Sequence, residues 1–303
     1  MSPTPAVVAD DLGKRYGDTV AVETLDLQIE QGTVYGFLGP NGAGKTTTMR
    51  MLTTLTTPSH GSAEIAGHPV TDREAVVERI GYLPEEPPLF DELTAREQLE
   101  YTAGLRDLPS TAADRIDTLL DTFDLAADAD RRIDEFSKGM KQKTGIVQAI
   151  LHDPDVLFLD EPTSGLDPRA SRTVRDTLAS LGAGDTTVFL STHILPVVDE
   201  LADVVGVLAD GRLVAEGPPE QLKTRAAAGD QRTLEDVFLD VTGDVGDGLD
   251  VAGGGDDSLD VAGEDSDGSR NGSQTGTNGT TPNSHTADSE QSVVSADHEE
   301  GQE

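Results

Sequence analysis

One short stretch of the sequence combines glycines, a lysine and threonines at a spacing suited to phosphate binding. Residues 39–47, here called the phosphate loop, read GPNGAGKTT and fit the pattern G-x-x-x-x-G-K-[ST]. Glycines let backbone N–H groups turn inward onto phosphate oxygens, Lys45 places an ammonium at the outer phosphates, and Thr46 offers a hydroxyl to Mg²⁺. A plain glycine turn is the alternative, but an apolar run precedes the loop and the helical segment TTTMRMLTTL follows it. The candidate phosphate-binding residues are Gly39, Pro40, Asn41, Gly42, Ala43, Gly44, Lys45, Thr46 and Thr47.

Two adjacent acidic residues end a second apolar run. The sequence VLFLDEP at 156–162 places Asp160 beside Glu161. Adjacent residues of a strand point to opposite faces, so the two carboxylates need not compete for one ligand. Asp160 is a candidate Mg²⁺ ligand, directly or through water, and Glu161 is a candidate for activating an attacking water. Two exposed acids at a strand end are the alternative in so acidic a chain.

A histidine follows a third apolar run, in TVFLSTH at 187–193. A single histidine at such a place is more often a surface or core residue than a catalytic one. Because the same chain carries a phosphate loop and an acid pair, His193 becomes a candidate catalytic residue.

These stretches lie at the ends of strands of an expected α/β fold. Four continuous apolar runs, at 34–39, 156–160, 187–192 and 204–208, predict strands that are covered on both faces. Ligands of open α/β sheets bind beyond the carboxyl ends of the strands, where three of these runs carry candidate residues. The N-terminal stretches predict an antiparallel β layer that turns at Gly17-Asp18, and Asp210-Gly211 predicts a hairpin turn.

Helical patterns occupy the middle of the chain. Thr94 and Glu97 have the spacing of a capping box, and ADRIDTLLDTF at 113–123 carries an apolar stripe. Ser137 is a suitable N-cap for a helix in KGMKQKTGIVQAIL. The free N–H groups and the positive dipole end of that helix would favour an anion.

The charge of the chain excludes one class of partner. It has 57 acidic and 22 basic side chains and a formal net charge of −35, which repels nucleic-acid backbones. We therefore expect no nucleic-acid partner. High salt screens such self-repulsion, which indicates adaptation to a salty cytoplasm. Cysteine is absent, and we recognise neither a secretory leader nor a membrane-spanning apolar run, so a cytosolic protein that does not span a membrane is expected.

The composition changes near residue 243. From there Gly, Asp, Ser, Thr and Asn dominate, and LDVAG at 249–253 recurs at 259–263. Such a segment buries too little apolar surface to offset its ordering entropy. We expect a folded domain at 1–242 and a disordered, acidic, low-complexity tail at 243–303.

Taken in order, these motifs resemble the ATPase subunit of ATP-binding-cassette (ABC) transporters. Lys45 and Thr46 match that family's phosphate loop, Asp160 and Glu161 its acid pair, and His193 its switch histidine. SGLD at 164–167 and FSKGM at 136–140 match two further motifs, the D-loop and the signature. The resemblance implies a P-loop NTPase fold of the α/β class. It would have a mixed sheet core, an N-terminal antiparallel β layer and a helical subdomain at about 90–150.

The resemblance also implies roles for residues outside the strand ends. It places adenine against Tyr16, and the helix that begins at the signature serine, Ser137, against ATP held by a second subunit. Gly139 of the signature and Asp167 of the D-loop are further candidate ATP-binding residues. Glu85 occupies the position of a family glutamine that contacts Mg²⁺, and a carboxylate there remains an oxygen ligand. The signature departs from the family pattern at Lys138 and Met140.

Three of the six lysines of the chain lie within six residues, at Lys138, Lys141 and Lys143. On one interpretation they add positive charge to the phosphate-facing helix end. Lys138 and Lys141 would then share a helix face while Lys143 points elsewhere. On the other, they offset Asp134 and Glu135.

Within the family, GYLPEE at 81–86 and TLEDVFLDVTG at 233–243 resemble drug- and polysaccharide-type exporters. This implies a head-to-tail homodimer that closes on two Mg-ATP, hydrolyses ATP and drives export through a separate membrane permease. The protein would lie peripherally at the cytoplasmic face of the cell membrane. Alternatives are a soluble ABC-type ATPase acting on ribosomes or DNA, and a nucleotide-gated interaction module with little turnover.

Overall fold

The computed structural model describes residues 5–225 and, beyond them, residues 235, 238 and 239. Within residues 5–225 the chain forms a ten-stranded sheet with helices packed on it. The strands are β1 (Pro5–Tyr16), β2 (Thr19–Glu30), β3 (Val34–Leu38), β4 (His60–Ile65), β5 (His68–Pro69), β6 (Ile80–Leu83), β7 (Val156–Asp160), β8 (Thr187–Thr192), β9 (Val204–Ala209) and β10 (Arg212–Gly217). The α-helices are α1 (Lys45–Leu52), α2 (Arg73–Arg79), α3 (Ala95–Leu105), α4 (Ala112–Thr122), α5 (Lys138–Ile150), α6 (Pro168–Gly182), α7 (Leu195–Leu201) and α8 (Pro219–Arg225).

The sheet is mixed, as predicted, and its strand order is β5-β4-β1-β2-β10-β9-β3-β8-β7-β6. At one end, β1 pairs antiparallel with both β2 and β4. At the other end, β9, β3, β8, β7 and β6 run parallel. Strand β10 connects the two parts, because it pairs antiparallel with β9 and parallel with β2.

The central strands are buried on both faces, which explains their continuous apolar runs. Every residue of β3, β7 and β8 is buried. Alternate residues of β7 enter different cores: Phe158 packs with Phe37 and Phe189, whereas Leu157 and Leu159 pack toward the helices of the middle segment. The four predicted strands are confirmed.

Helices α3, α4 and α5 form a helical region beside the parallel strands. Their apolar faces share one core, with Leu99, Ile116 and Ile146 each at most 1% exposed. The predicted capping box of α3 is present: Glu97 N donates to Thr94 Oγ1 at 3.1 Å, and Thr94 N donates to Glu97 Oε2 at 2.9 Å. This region corresponds to the expected helical subdomain.

The turn between β9 and β10 agrees with the sequence prediction, whereas the end of helix α1 differs from it. The hairpin between β9 and β10 turns at Asp210 and Gly211 with φ of 46° and 73°, as predicted. Helix α1 ends at Leu52, earlier than expected, because Thr54 adopts a left-handed conformation with φ of 63°.

Among the described residues, no helix has the length and apolarity needed to cross a membrane. The predicted tail at 243–303 lies outside the described residues, so the boundary at 242 stays a prediction.

Candidate functional site

The topology brings the three candidate strand ends to one edge of the sheet. Strands β3, β8 and β7 are parallel neighbours, with Leu38 opposite Thr192 and Asp160 opposite Ser191. The phosphate loop follows β3, the acid pair ends β7, and His193 follows β8. The side chains singled out by sequence therefore converge at the carboxyl ends of adjacent strands, where such sheets bind ligands.

The phosphate loop has a backbone path that only glycine permits at two points. Gly44 adopts φ of 109°, and a Cβ on it would lie 2.5 Å from the Ala21 carbonyl oxygen. A Cβ on Gly39 would lie 2.6 Å from the Leu208 carbonyl oxygen. Gly44 is also the N-cap of α1, so the loop leads directly into a helix N-terminus. The resulting pocket, a suitable anion site, is lined by Ala21, Asn41, Gly42, Gly44, Lys45, Thr46 and Thr47.

Lys45 lies folded back on the phosphate loop. Its Nζ donates to the carbonyl oxygens of Gly39 at 2.7 Å and Pro40 at 3.2 Å, and the residue is only 8% exposed. Burial lowers the pKa of Lys45, while the carboxylates of Glu161, Asp160 and Glu85 act to raise it. A phosphate in the pocket would replace the two carbonyl oxygens as the partner of this ammonium.

Asp160 is held by two hydroxyl groups. Thr46 Oγ1 donates to Asp160 Oδ2 at 3.0 Å, and Ser191 Oγ donates to Asp160 Oδ1 at 3.0 Å. Burial raises the pKa of Asp160, and the two hydrogen bonds act to lower it. Mg²⁺ in proteins commonly takes one or two carboxylates together with phosphate oxygens and water. The Thr46 hydroxyl and the Asp160 carboxylate, side by side at the phosphate loop, fit that donor set.

Glu161 occupies a strained position just past the end of β7. Its φ is 49°, a left-handed conformation that is uncommon for residues other than glycine. Its Oε1 accepts from His193 N at 3.0 Å and lies 2.8 Å from His193 Nδ1, and its Oε2 accepts from Thr192 Oγ1 at 2.9 Å. Glu161 is 7% exposed, whereas the His193 side chain is 57% exposed. The carboxylate is therefore fixed and the imidazole can still move.

Two other predicted contacts lie at the surface. The Tyr16 ring, at the end of β1, is 46% exposed, and Lys14 Nζ is 5.0 Å from its centroid. An exposed ring is available for stacking on a base. Glu85 is also exposed and follows β6, on the sheet edge that carries the acid pair. Their roles toward adenine and Mg²⁺ stay predictions.

Ser137, Gly139 and Asp167 form a second group at the N-termini of two helices. Ser137 caps α5, with Met140 N donating to its Oγ at 3.2 Å, and Asp167 caps α6, with Ala170 N donating to its Oδ1 at 2.9 Å. The backbone N–H groups of Ala170 and Arg169 both donate to the Asp167 carboxylate and lower its pKa, and the bond from Ala170 has the larger effect. Among the described residues, no hydrogen bond joins this group to the phosphate loop. A single chain thus carries two separate parts of the predicted site.

The structure corrects both interpretations of the lysine cluster. Lys141 Nζ lies 2.6 Å from Asp91 Oδ1, and Lys143 is buried with its Nζ donating to the Phe123 carbonyl oxygen at 2.8 Å. Neither ammonium faces the open helix end, so the phosphate-facing interpretation was wrong for Lys141, and Lys143 points elsewhere, as predicted. Lys138 alone stays at that end, beside Gly165 of the D-loop motif.

The acidic neighbours of the cluster have arginine partners instead. Arg132 pairs with Asp134 at 3.1 Å, and Arg131 pairs with Glu135 at 3.3 Å. The interpretation in which the lysines offset these two acids was therefore wrong as well.

The sequence reasoning missed two residues that hold the acid pair. Ser191 and Thr192 end β8, point to opposite faces, and bind Asp160 and Glu161 respectively. Both are completely buried. The available signal was a pair of small hydroxyl residues at the end of an otherwise apolar strand. It could not be used without the register that sets Ser191 opposite Asp160.

A phosphate loop, a hydroxyl–carboxylate pair and a fixed glutamate at one sheet edge define a nucleotide-hydrolysing protein of the P-loop class. The profile of the family described as ABC transporter matches residues 22–164. The daunorubicin resistance ATP-binding protein DrrA3 of Streptomyces coeruleorubidus is 44% identical over 243 residues, covering 80% of this chain and 76% of that protein. The Nod factor export ATP-binding protein I of Cupriavidus pinatubonensis is 38% identical over 226 residues, covering 73% and 70%.

A solved structure, described as the ATP-binding subunit of an ABC transporter, superposes with a TM-score of 0.72 at 30% identity. The match covers 78% of this chain and 99% of that one. This chain belongs to the ABC transporter family, among the ATP-binding subunits of exporter-type transporters. It is an ATPase of the kind that is coupled to transport.

Proposed function

We propose that this chain hydrolyses Mg-ATP at the sheet edge where Lys45, Asp160 and Glu161 meet. The observation that carries the proposal is that the two adjacent acids contact different partners. Asp160 is bound to the hydroxyl of Thr46 in the phosphate loop, whereas Glu161 faces His193 on the opposite side of the strand end. One carboxylate is placed for a metal ion and the other for water.

The roles follow from these positions. Lys45 leaves the carbonyl oxygens of its loop and neutralises the outer phosphates of ATP. The same phosphates bind at the N-terminus of α1, where the free backbone N–H groups and the helix dipole favour negative charge. Thr46 and Asp160 would hold Mg²⁺, with Glu85 as a further oxygen ligand, and the ion would supply positive charge that neutralises the phosphates. Glu161 orients the attacking water, and His193 stabilises the γ-phosphate. Tyr16 stacks on adenine.

A second copy of the chain completes each site in this proposal. Ser137 is exposed and starts α5, whose free N–H groups and positive dipole end suit a γ-phosphate held by the partner. Gly139 keeps that end uncrowded, and Asp167 lies in the adjacent D-loop motif. The separation of these residues from the phosphate loop within one chain supports a head-to-tail homodimer.

Closure of this homodimer on two ATP would drive a separate membrane permease, and hydrolysis would reset it. The similarity to a daunorubicin resistance protein and to a Nod factor export protein supports export as the direction. A permease partner places the chain peripherally at the cytoplasmic face of the cell membrane. The excess of acidic side chains, 57 against 22 basic ones, disfavours the alternative of a factor acting on ribosomes or DNA.

The test is the Glu161→Gln variant. It keeps the shape of the side chain but removes the charge that orients water, so it should bind ATP, form the ATP-dependent dimer, and hydrolyse at least about a hundredfold more slowly. Glu64→Gln, the same change at an exposed position on β4, is the matched control and should hydrolyse normally. Wild-type turnover in Glu161→Gln, or a wild-type protein without ATPase activity, would contradict the proposal.

A further inference from the structure

We propose that Thr192 is a positioning residue that fixes the direction of the Glu161 carboxylate during ATP hydrolysis, an inference that rests on the proposed function. Thr192 is the last residue of β8 and is completely buried. Its Oγ1 donates to Glu161 Oε2 at 2.9 Å. The same oxygen accepts a hydrogen bond from Ile194 N at 3.1 Å.

These two hydrogen bonds leave the hydroxyl no freedom to turn. A threonine hydroxyl has a single proton to donate, and here that proton is directed at Glu161 while a lone pair faces Ile194 N. The β-branched side chain is also restricted about χ1. Thr192 therefore offers Glu161 a donor at one defined point in space.

The other two contacts of the carboxylate come from His193 and converge on Oε1. One is the backbone N–H, at 3.0 Å, and the other is the ring nitrogen Nδ1, at 2.8 Å. The ring is more than half exposed and is the group that must turn toward the γ-phosphate. When it turns, Oε1 retains the His193 backbone N–H and Oε2 retains Thr192. Two fixed donors, one on each oxygen, then keep the carboxylate from rotating.

This restraint matters because the backbone at Glu161 is strained. A glutamate at φ of 49° has no local preference for that conformation, and the surrounding structure must impose it. The hydrogen bond from Glu161 N to the Ser191 carbonyl oxygen, 2.9 Å, fixes the main chain from β8. Thr192, the next residue of the same strand, fixes the side chain. Strand β8 thus holds both ends of the water-orienting residue, and a small misorientation there reduces the rate strongly.

Three variants test the inference. Thr192→Val keeps the shape but removes the donor, and should lower kcat about tenfold or more with KM for ATP changed less than about twofold. Thr192→Ser keeps the donor and should retain most of the activity. Thr187→Val makes the same change at the other end of β8, where Thr187 is equally buried and its Oγ1 accepts from Gly32 N at 3.0 Å. It should leave kcat near the wild-type value.

A double variant separates positioning from general damage. If Thr192 acts through Glu161, Thr192→Val should cause no further loss in a Glu161→Gln background, because residues that act as a unit are not additive. The inference is overturned if the two losses add, if Thr192→Ser is as slow as Thr192→Val, or if Thr187→Val loses kcat equally. Should Thr192→Val fail to fold, Thr192→Ser against Thr192→Ala makes the same comparison.

The two proposals fail differently. An active Glu161→Gln variant contradicts the proposed function itself. A slow Glu161→Gln beside a fully active Thr192→Val contradicts only the role given to Thr192.

Discussion

Replacing Lys143 by methionine should destabilise the protein far more than the same change at Lys141, two residues along the same helix. Methionine retains the length and apolar stem of lysine and removes only the ammonium. Lys143 is 8% exposed and its Nζ donates to the Phe123 carbonyl oxygen at 2.8 Å. Phe123 is the C-cap of α4, so this ammonium also faces the negative end of a helix dipole.

The magnitude follows from the buried carbonyl that is left without its donor. An unsatisfied buried polar group costs about 1–3 kcal/mol, and loss of a cation at a helix C-terminus adds about 0.3–1 kcal/mol. Removing a buried charge returns part of this, because the ammonium no longer has to be desolvated. We expect a net loss of about 2 kcal/mol for Lys143→Met. Lys141 forms a partly exposed ion pair with Asp91, for which the loss is about 0–1 kcal/mol.

Urea unfolding at constant high salt measures both variants. The unfolding free energies should differ by more than about 1 kcal/mol, with unchanged slopes against urea concentration. A larger loss for Lys141→Met than for Lys143→Met would refute the reasoning. So would a Lys143→Met variant as stable as the wild type, since the carbonyl of Phe123 would then have no need of its donor.

Two further predictions concern solution conditions. Burial lowers the pKa of His152 to about 4, so between about pH 6.5 and pH 4 the unfolded chain binds more protons and the free energy of unfolding falls as the pH falls. His152→Gln should weaken this pH dependence in urea unfolding at pH 7 and pH 4.5, and an unchanged dependence would contradict the assignment. The melting temperature of the wild type should rise between about 0.1 and 2 M KCl, because salt screens the repulsion within a chain of net charge −35. A salt-independent melting temperature would rule out the proposed adaptation.

Local sequence patterns were enough to predict the strands that carry the site. The runs ending at Leu38, Asp160 and Thr192 are continuously apolar because both faces of these strands are covered. The N-caps at Thr94 and Ser137 depend on residues within one helical turn and were predicted for the same reason. Patterns of this kind need no knowledge of distant partners.

The contacts of the lysine ammonium groups could not be predicted, because their partners lie far away in the sequence. Lys141 meets Asp91, which lies fifty residues earlier, and Lys143 meets the carbonyl of Phe123, twenty residues earlier. Proximity in sequence suggested Asp134 and Glu135 as partners of the lysines. In the structure Asp134 forms an ion pair with Arg132, and Glu135 forms one with Arg131. Charge pairing between elements follows the packing of the helices and is not encoded in local spacing.

The contacts of the acid pair required strand register. Adjacent carboxylates on opposite faces were expected, but their hydroxyl partners on β8 follow from the pairing of Asp160 with Ser191. The left-handed conformation of Glu161 could not be predicted either, because a glutamate occupies the position and not the glycine that usually indicates a positive φ. Strain of this kind is imposed by neighbouring strands and belongs to the site.

The most direct test of the central claim, a hydrolytic site shared by two copies of the chain, is to mix two inactive variants. Lys45→Ala removes the cation of the phosphate loop, and Ser137→Ala removes the cap of the helix that faces the partner's ATP. If each site joins Lys45 of one copy to Ser137 of the other, a mixed dimer carries both defects in one site and leaves the second site intact. ATPase activity and ATP-dependent dimer formation should then rise above the sum of the separate variants. No rise in either quantity, with subunit exchange confirmed by differently labelled copies, would contradict the shared site.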